Sequence, residues 1–345
     1  LRRFFSTLAS LLVLSLLIVG QAMALTIGTF NVEYFNVSGK KAYSPEDCYH
    51  LAKTILSSKA DVLALQEIEG DATMRYFLTK FLPGWWSAKG NDTGGRQDLY
   101  FLWNSDTVEL IDGPYIYGAN ASFRFEGKSY KLNDRPHLVA TFLDKERDRR
   151  FTMVNVHLKS QSTRGKGDSD KAERYNDAKR QAQIESVNKI VSSLKGPVFI
   201  LGDFNTDDPR GTSFPLLRLP DGQYSYDNKK SNLDYIGYAG IEMDEKWAIY
   251  EIETAIPARS TKKAEHPDHD MVALALDGSV PKVAVKSAKA ESKEAPKNIT
   301  VFVTKTGKSY HSDGCSSLSK SKIALSLEEA KAKGYTPCSK CKPPR

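Results

Sequence analysis

Residues 197–205, Pro197-Val198-Phe199-Ile200-Leu201-Gly202-Asp203-Phe204-Asn205, decide the fold. The apolar run Val198–Leu201 has the length and character of a short buried strand. It enters Gly202, where a missing Cβ permits a turn or a close backbone approach. Asp203 and Asn205 then stand two apart, on one side of an extended chain. In α/β sheets, ligands bind beyond the carboxyl ends of strands. An acid and an amide at such an end are therefore candidates for chemistry, although an Asx-rich turn explains GDFN equally well when taken alone.

The neighbouring segments repeat the pattern. Leu25–Val32 is a strand that brings Asn31 and Glu33 to its end. Residues 45–58 form an amphipathic helix, with Ser44 as N-cap and Pro45 at N1. Asp61–Leu65 is a buried strand ending in Gln66-Glu67. A glutamate there needs a partner, either a metal ion or a salt bridge and solvent. Residues 71–81 are helical and lead to Trp85-Trp86, either a membrane or stacking element or, as aromatics normally serve, one for the core and one covering it. A turn at Gly94–Gln97 precedes the strand Leu99–Trp103. Arg135, just before the strand His137–Leu143, is either a bidentate phosphate ligand or an ordinary surface arginine. The strand Phe151–Leu158 carries His157 near its end, followed by a polar loop at 161–170. A long helix at 171–194 presents Arg174, Lys179 and Arg180, for a phosphate backbone or for solvent. Asn232–Ile236 runs into a strand, 246–253 is another, and 257–265 is a loop. Asp268-His269 then precedes the last strand, Met271–Leu276.

Helices between strands imply a layered α/β domain. The polar residues gathered at its strand ends suit phosphodiester cleavage. Hard oxygen ligands hold a divalent metal that polarises the phosphoryl oxygen. A histidine serves as general base near neutral pH, a carboxylate orients it, and further donors stabilise the transition state.

The ends of the chain differ from its middle. Arg2-Arg3, the apolar run Leu8–Val19 and Ala22-Met23-Ala24 have the form of a secretory signal peptide cleaved after Ala24. The apolar run is short for a membrane span, and no later stretch is long and apolar enough. Expected residence is secreted or periplasmic, without stable membrane insertion. The formal charge of +7 conceals an asymmetry. Residues 282–345 hold 14 Lys and Arg against 5 Asp and Glu, whereas residues 25–281 hold 33 against 37. A basic tail on a slightly acidic domain implies a polyanionic partner, or serves solubility.

In order, TFNVEYF, LALQEIEG, NDRPHL, NVHLKS, GDFN, LDYIGY and HPDHDMVAL span about 25–277. Together they resemble the endonuclease/exonuclease/phosphatase superfamily, the deoxyribonuclease I-like fold. The resemblance implies a four-layer α/β sandwich of two mixed sheets. It implies Mg²⁺, or Mn²⁺ or Ca²⁺, near Asn31 and Glu67, with Glu33 at a second metal-site position. His157 would bind or protonate the scissile phosphate, and Asp203 and Asn205 would position the attacking water and the phosphate. Asp234 would orient His269, and Asp268 would complete the site. Pro267 stands where the family usually has serine, and Gln97 where deoxyribonucleases pair a glutamate with the first histidine.

Residues 281–299 are rich in Lys, Ala, Ser and Glu without apolar periodicity, and read as a flexible linker. Beyond them lie a strand at Val301–Val303 and a short helix at Leu325–Ala332 capped by Ser326. Three of the four cysteines lie here. His311, Cys315, Cys338 and Cys341 have the spacing of a closed structural zinc site. A disulfide is the alternative in an oxidising compartment. YHSDGC, SLEEA and GYTPCSKC make residues 300–345 similar to the Ada-like zinc-binding module. Cys48 is expected to be a buried helix residue.

The expected protein is a monomeric secreted nuclease, cutting DNA, with RNA as a second candidate substrate, and with its catalytic domain at 25–280. A phosphodiesterase or phosphatase of the same fold, acting on phospholipid (sphingomyelinase-like) or on sugar phosphates, is the first alternative. A non-catalytic nucleic-acid-binding protein is the second.

Overall fold

A computed structural model describes residues 25–39, 42–90, 97–165, 167–226, 230–254, 256, 267–281, 300–341 and 343. The expected leader, residues 282–299 of the expected 281–299 linker, the 257–265 loop and Gly94–Arg96 of the expected turn lie outside these residues. The strands of the larger unit, in chain order, are β1 (Thr26–Phe35), β2 (Val62–Ile68), β3 (Trp85–Lys89), β4 (Asp98–Asn104), β5 (Val108–Tyr117), β6 (Ser122–Phe125) and β7 (Lys128–Lys131). They continue with β8 (His137–Asp144), β9 (Arg149–His157), β10 (Val198–Asp203), β11 (Leu216–Leu217), β12 (Asp234–Ala239), β13 (Ala248–Ile252) and β14 (Met271–Ala275). The helices are α1 (Pro45–Ser58), α2 (Gly70–Phe81) and α3 (Ser169–Ser193).

Two six-stranded mixed sheets result, in the orders β13-β14-β1-β2-β4-β3 and β11-β12-β10-β9-β8-β5. Period-two alternation sets the layers. Val62 and Ala64 face inward with Phe101, Phe142, Met153, Phe199 and Leu201, filling the space between the sheets. Leu63 and Leu65 face outward, under Leu51 and Ile55 of α1 and Phe77 of α2. Val154, Val156, Ile200 and Tyr235 pack against Ile184, Val187 and Ile190 of α3 on the other outer face. The four-layer sandwich is thus present. At the mid-plane, Phe101 and Phe142 meet edge to face at 5.4 Å, the geometry their ring quadrupoles favour.

Local rules explain the clearest elements. Ser44 caps α1 through a reciprocal capping box with Asp47, and Pro45 opens the helix, as expected. Cys48 is fully buried in that helix. Gly202 has a φ of 149°, and a Cβ there would lie 1.9 Å from the Val156 carbonyl oxygen, so close strand approach requires the glycine. Three strands between 108 and 131 lie beyond the sequence expectation. β6 and β7 form a hairpin turned by Glu126 and Gly127, both at positive φ, as a two-residue turn matched to strand twist requires. Trp86 is exposed, while Trp85 packs at the margin of the outer core. Lys179 and Arg180 depart from the expected solvated or phosphate-tracking face. Both are buried, Lys179 on Asp134 (2.8 Å) and Arg180 on Asp177 (3.3 Å) and the Lys159 carbonyl (3.1 Å).

Residues 300–341 carry a separate sheet and core. Strands β15 (Thr300–Val303), β16 (Ser309–His311), β17 (Ile323–Ser326) and β18 (Thr336–Pro337) pair in the order β17-β15-β16-β18. Helix α4 (Leu327–Ala332) is capped by a Ser326–Glu329 capping box. Its core is small: Val301, Val303, Tyr310, Leu327 and Ala330. Among the described residues, no helix is long and apolar enough to cross a membrane.

Candidate active site

Register builds the site. Asp203 at the end of β10 is the Cα partner of His157 on parallel β9 and of Asp234 on antiparallel β12. Three adjacent strands thus present His157, Asp203 and Asp234 in one row. On the other sheet, parallel β1 and β2 place Asn31 opposite Gln66, so Glu67 follows immediately beyond. The pairing is irregular there, between Asn31 and Phe35 and again, against β4, between Leu65 and Ile68. Irregularities of this kind re-aim side chains beside active sites. Glu33, Tyr34 and Glu67 all adopt positive φ, as does Asn205 beyond β10.

Asp203 is the hub. Its Oδ2 accepts from Asn31 Nδ2 (3.0 Å) and Asn205 Nδ2 (2.9 Å), and its Oδ1 from the Asn205 backbone N–H (2.7 Å). His157 Nε2 lies 3.4 Å and His269 Nε2 3.9 Å from the same Oδ2. His269 Nδ1 is 2.7 Å from Asp234 Oδ2. Asp234 is steadied in turn: Ser225 Oγ accepts its backbone N–H at 3.0 Å. The Tyr226 ring centroid lies 4.9 Å from that of His269. Neither Ser225 nor Tyr226 carried a signal in the sequence.

Burial sets the electrostatics. It pushes the Asp203 carboxyl up to about 7, with Asp234 adding and His269 opposing. Burial alone would lower His269, but the hydrogen-bonded Asp234 carboxylate, with Asp203 and Asp268 nearby, outweighs it and holds the imidazole up at about 10. His157 goes the other way, well below the usual histidine range, because it is buried and then because Arg135 is close. Burial also raises Glu67, against the opposing charge of Arg135.

Gln97 and Arg135 differ from expectation. Gln97 donates to Glu67 Oε1 (2.9 Å) and accepts from Arg135 Nη1 (2.6 Å), and these bonds direct it to Glu67 instead of to His157. Arg135 is buried, and its remaining nitrogens bond the carbonyls of His157 (3.3 Å) and Leu158 (2.6 Å). All three guanidinium nitrogens are thereby engaged within the protein. Arg135 braces the end of β9 and holds Gln97, and its burial corrects its reading as an ordinary surface arginine. A third feature, a polar bridge through the sandwich interior, carries no signal in the sequence. Gln66 Nε2 donates to Asn155 Oδ1 (2.8 Å) and to Thr29 Oγ1 (3.1 Å), and Asn155 Nδ2 donates to the carbonyls of Leu65 and Tyr100 (3.0 Å each).

Asn31 and Glu67, 3.5 Å apart between Nδ2 and Oε1, fit a hard divalent cation. A carboxyl group whose ionisation burial opposes is stabilised by such a charge. Asn31 turns its Nδ2 toward Glu67 and Asp203, so ligation through Oδ1 calls for the amide to turn over. Glu33 is buried beside them, its backbone N–H on Asn31 Oδ1 (3.1 Å). Asp268 is half-buried and close enough for its charge to act on both Glu67 and His269. Asp203, Asp234 and His269 also cluster tightly enough for a metal. Within that trio His269 Nδ1 already bonds Asp234 Oδ2, which makes it a hydrogen-bonded acid–histidine arrangement.

The second cluster is His311, Cys315, Cys338 and Cys341, whose ligand atoms all lie within 4.8 Å of one another. Tetrahedral zinc, with Zn–S of about 2.3 Å and Zn–N of about 2.0 Å, spaces its ligand atoms roughly 3.5–3.8 Å apart. His311 Nδ1 lies 3.3 Å from Cys315 Sγ and 3.9 Å from Cys341 Sγ, and all three cysteines are free thiols. The set fits zinc.

A sandwich with this site at its strand ends defines a phosphoesterase-type hydrolase fold. The chain belongs to the Endonuclease/Exonuclease/phosphatase family, whose model matches residues 28–236. It is similar in fold to D. rerio TDP2 complexed with a single-strand DNA product, with a TM-score of 0.52 and 15% identity over 72% of this chain and 97% of that one. It is likewise similar to a Bacteroides thetaiotaomicron mannosyl-6-phosphatase, with a TM-score of 0.50 and 15% identity over 73% of this chain and 98% of that one. A pelota homolog from Methanoculleus marisnigri is 30% identical over 118 residues, 32% of this chain. The chain spans about a third (34%) of the length of that curated relative, and so local a likeness assigns no family.

Proposed function

We propose that the protein is a secreted or periplasmic, metal-dependent nuclease that hydrolyses phosphodiester bonds of DNA, and of RNA where it is accessible. The observation that carries this reading is the convergence of Asn31 and Glu67 from one sheet with His157, Asp203, Asn205 and the Asp234–His269 pair from the other. A divalent cation at Asn31 and Glu67, with Glu33 and Asp268 alongside, would polarise the phosphoryl oxygen and neutralise charge on the leaving oxygen. His269, held charged by Asp234, donates a hydrogen bond to a phosphate oxygen. His157, kept neutral by burial, lies on the opposite side of Asp203 and orients the phosphate. Asp203, fixed by Asn31 and Asn205, takes the proton of the attacking water. Within the family, the basic residues 282–345 favour a polyanionic substrate over a single sugar phosphate. The similar TDP2 structure, complexed with single-strand DNA, agrees with that choice. The C-terminal unit is proposed as a zinc-stabilised module, a unit apart from the catalytic domain.

The test offers the purified chain supercoiled plasmid, structured RNA, sphingomyelin and a hexose phosphate in parallel, with Mg²⁺ or Ca²⁺ and with EDTA. Metal-dependent nicking that is lost in Asp203→Ala supports the reading. Headgroup or phosphate release with plasmid and RNA intact refutes it and moves the protein to another branch of the family.

A further inference from the structure

Tyr34 is held in a place its side chain resists. Its φ is 52°, a left-handed backbone that bulky residues rarely adopt, and Glu33 before it has a φ of 35°. Two bonds fix the distortion. The Tyr34 N–H donates to Glu67 Oε2 (3.2 Å), and the Tyr34 carbonyl accepts from Asn36 Nδ2 (2.9 Å). Strain of this kind persists where the surroundings impose it, and it clusters at working sites. Its consequence here is the direction of one ring. Val32 and Phe35 are 1% exposed, while Tyr34 between them is 45% exposed.

The ring stands beside the candidate site, next to Gln97 and Glu67. Its hydroxyl lies 3.4 Å from Gln97 Nε2, which itself lies 2.9 Å from Glu67 Oε1. The charges of Glu67, Arg135, Asp268 and Glu33 all act on the phenol, so its surroundings are ionic. A membrane-dipping element needs a contiguous apolar patch, and a lone ring among charges is not one. A single exposed aromatic face beside a phosphate site suits another flat ring.

Resting on the nuclease reading above, we infer that Tyr34 is a stacking platform that receives the nucleobase next to the scissile phosphate. It is a specificity-determining residue, separating base-bearing phosphodiesters from bare sugar phosphates. The ring supplies the recognition, and the hydroxyl only tethers it to Gln97.

The test compares KM for a short single-stranded oligodeoxynucleotide with KM for the same backbone made abasic, using the full chain, Tyr34→Gly and Tyr34→Phe. Glycine removes the ring and accepts the positive φ, so folding is preserved. The wild-type protein should favour the base-bearing strand by about tenfold, within the range that stacking supplies per base. Tyr34→Gly should bring that ratio close to one, and Tyr34→Phe should keep it. A ratio retained in Tyr34→Gly, or lost in Tyr34→Phe, overturns the inference. Should the wild-type protein cut neither strand, the nuclease reading falls by itself. Tyr34 is then decided by equilibrium binding of adenosine monophosphate against ribose 5-phosphate. A preference for the nucleotide that disappears in Tyr34→Gly upholds it, and equal binding overturns it.

Discussion

Asn31 Nδ2, on one sheet, donates a 3.0 Å hydrogen bond to Asp203 Oδ2 on the other. The bond joins residues 172 apart in sequence and spans the mouth of the sandwich. It ties the side that would hold a cation to the side that would hold the nucleophilic water. Asp203 also meets two histidines and both donors of Asn205. Burial nevertheless disfavours its charge. Its ionisation therefore opposes folding while serving the reaction. Asp203→Asn should lower turnover by a factor of about 10²–10⁴, the usual contribution of a positioned base. At pH 8 its denaturant midpoint should equal or exceed that of the wild type, because a disfavoured buried charge has gone. A stability loss that parallels the activity loss would make Asp203 a structural residue.

The relative placement of the sheets depends on the interior bridge of Thr29, Gln66 and Asn155, all fully buried. Asn155 lies two residues before His157, and Gln66 immediately before Glu67. Asn155→Leu would remove the hydrogen bonds its side chain makes with the carbonyls of Leu65 and Tyr100 and with Gln66 Nε2, which keeps Thr29 Oγ1 and the Ala64 carbonyl. Each such bond contributes about 0.5–1.5 kcal/mol, so a loss of roughly 3 kcal/mol is expected at unchanged m value. Urea titration followed by tryptophan fluorescence measures it. A midpoint within error of wild type would mean that the two sheets hold their register without the bridge.

Much of this architecture is legible in the chain. The segment around α1 shows its start because Ser44 and Pro45 are local signals. His157, Asp203 and Asn31 stand out because each ends or nearly ends an apolar strand. What is not legible is pairwise. Nothing in the segments themselves says that Asp203 sits opposite both His157 and Asp234, since register is decided between strands. Arg135 reads in sequence as a phosphate ligand or a surface residue, and it turns inward because the end of β9 offers it two carbonyls. Gln66 points into the interior only because Glu67 faces the mouth, a consequence of strand alternation. The short strands of the C-terminal unit carry too few residues for a period to show.

His137 gives the fold an acid-sensitive point separate from the site chemistry. It is fully buried at the start of β8, and among the described residues neither ring nitrogen meets a partner. Burial lowers its pKa to about 4. The unfolded chain, with a histidine near about 6.5, takes up the proton first as pH falls. The stability tied to neutral His137 is therefore complete above about pH 6.5 and is lost progressively down to about pH 4, to a limit of about 3 kcal/mol. His137→Leu should fold within about 1.5 kcal/mol of wild type at pH 8 and should lack this acid limb. The difference between the two urea midpoints, followed from pH 8 to pH 4, reads it directly. Parallel curves would show that the imidazole reaches solvent.

The C-terminal unit has five residues in its buried core, too few to hold four short strands and one helix unaided. The proposed staple is zinc at His311, Cys315, Cys338 and Cys341, whose binding energy becomes folding energy. The purified chain should carry one zinc per molecule by atomic emission. Chelation should collapse amide hydrogen-exchange protection across residues 300–341 and leave that of residues 25–281 in place, since each part has its own core. Cys315→Ser should do the same without chelator. Alkylation under denaturing, non-reducing conditions separates zinc from its rival. Zinc leaves three reactive thiols in this unit, whereas a disulfide leaves one. A single alkylated cysteine with chelator-insensitive exchange would replace the metal with a disulfide and make the third thiol, not a cation, the feature to explain.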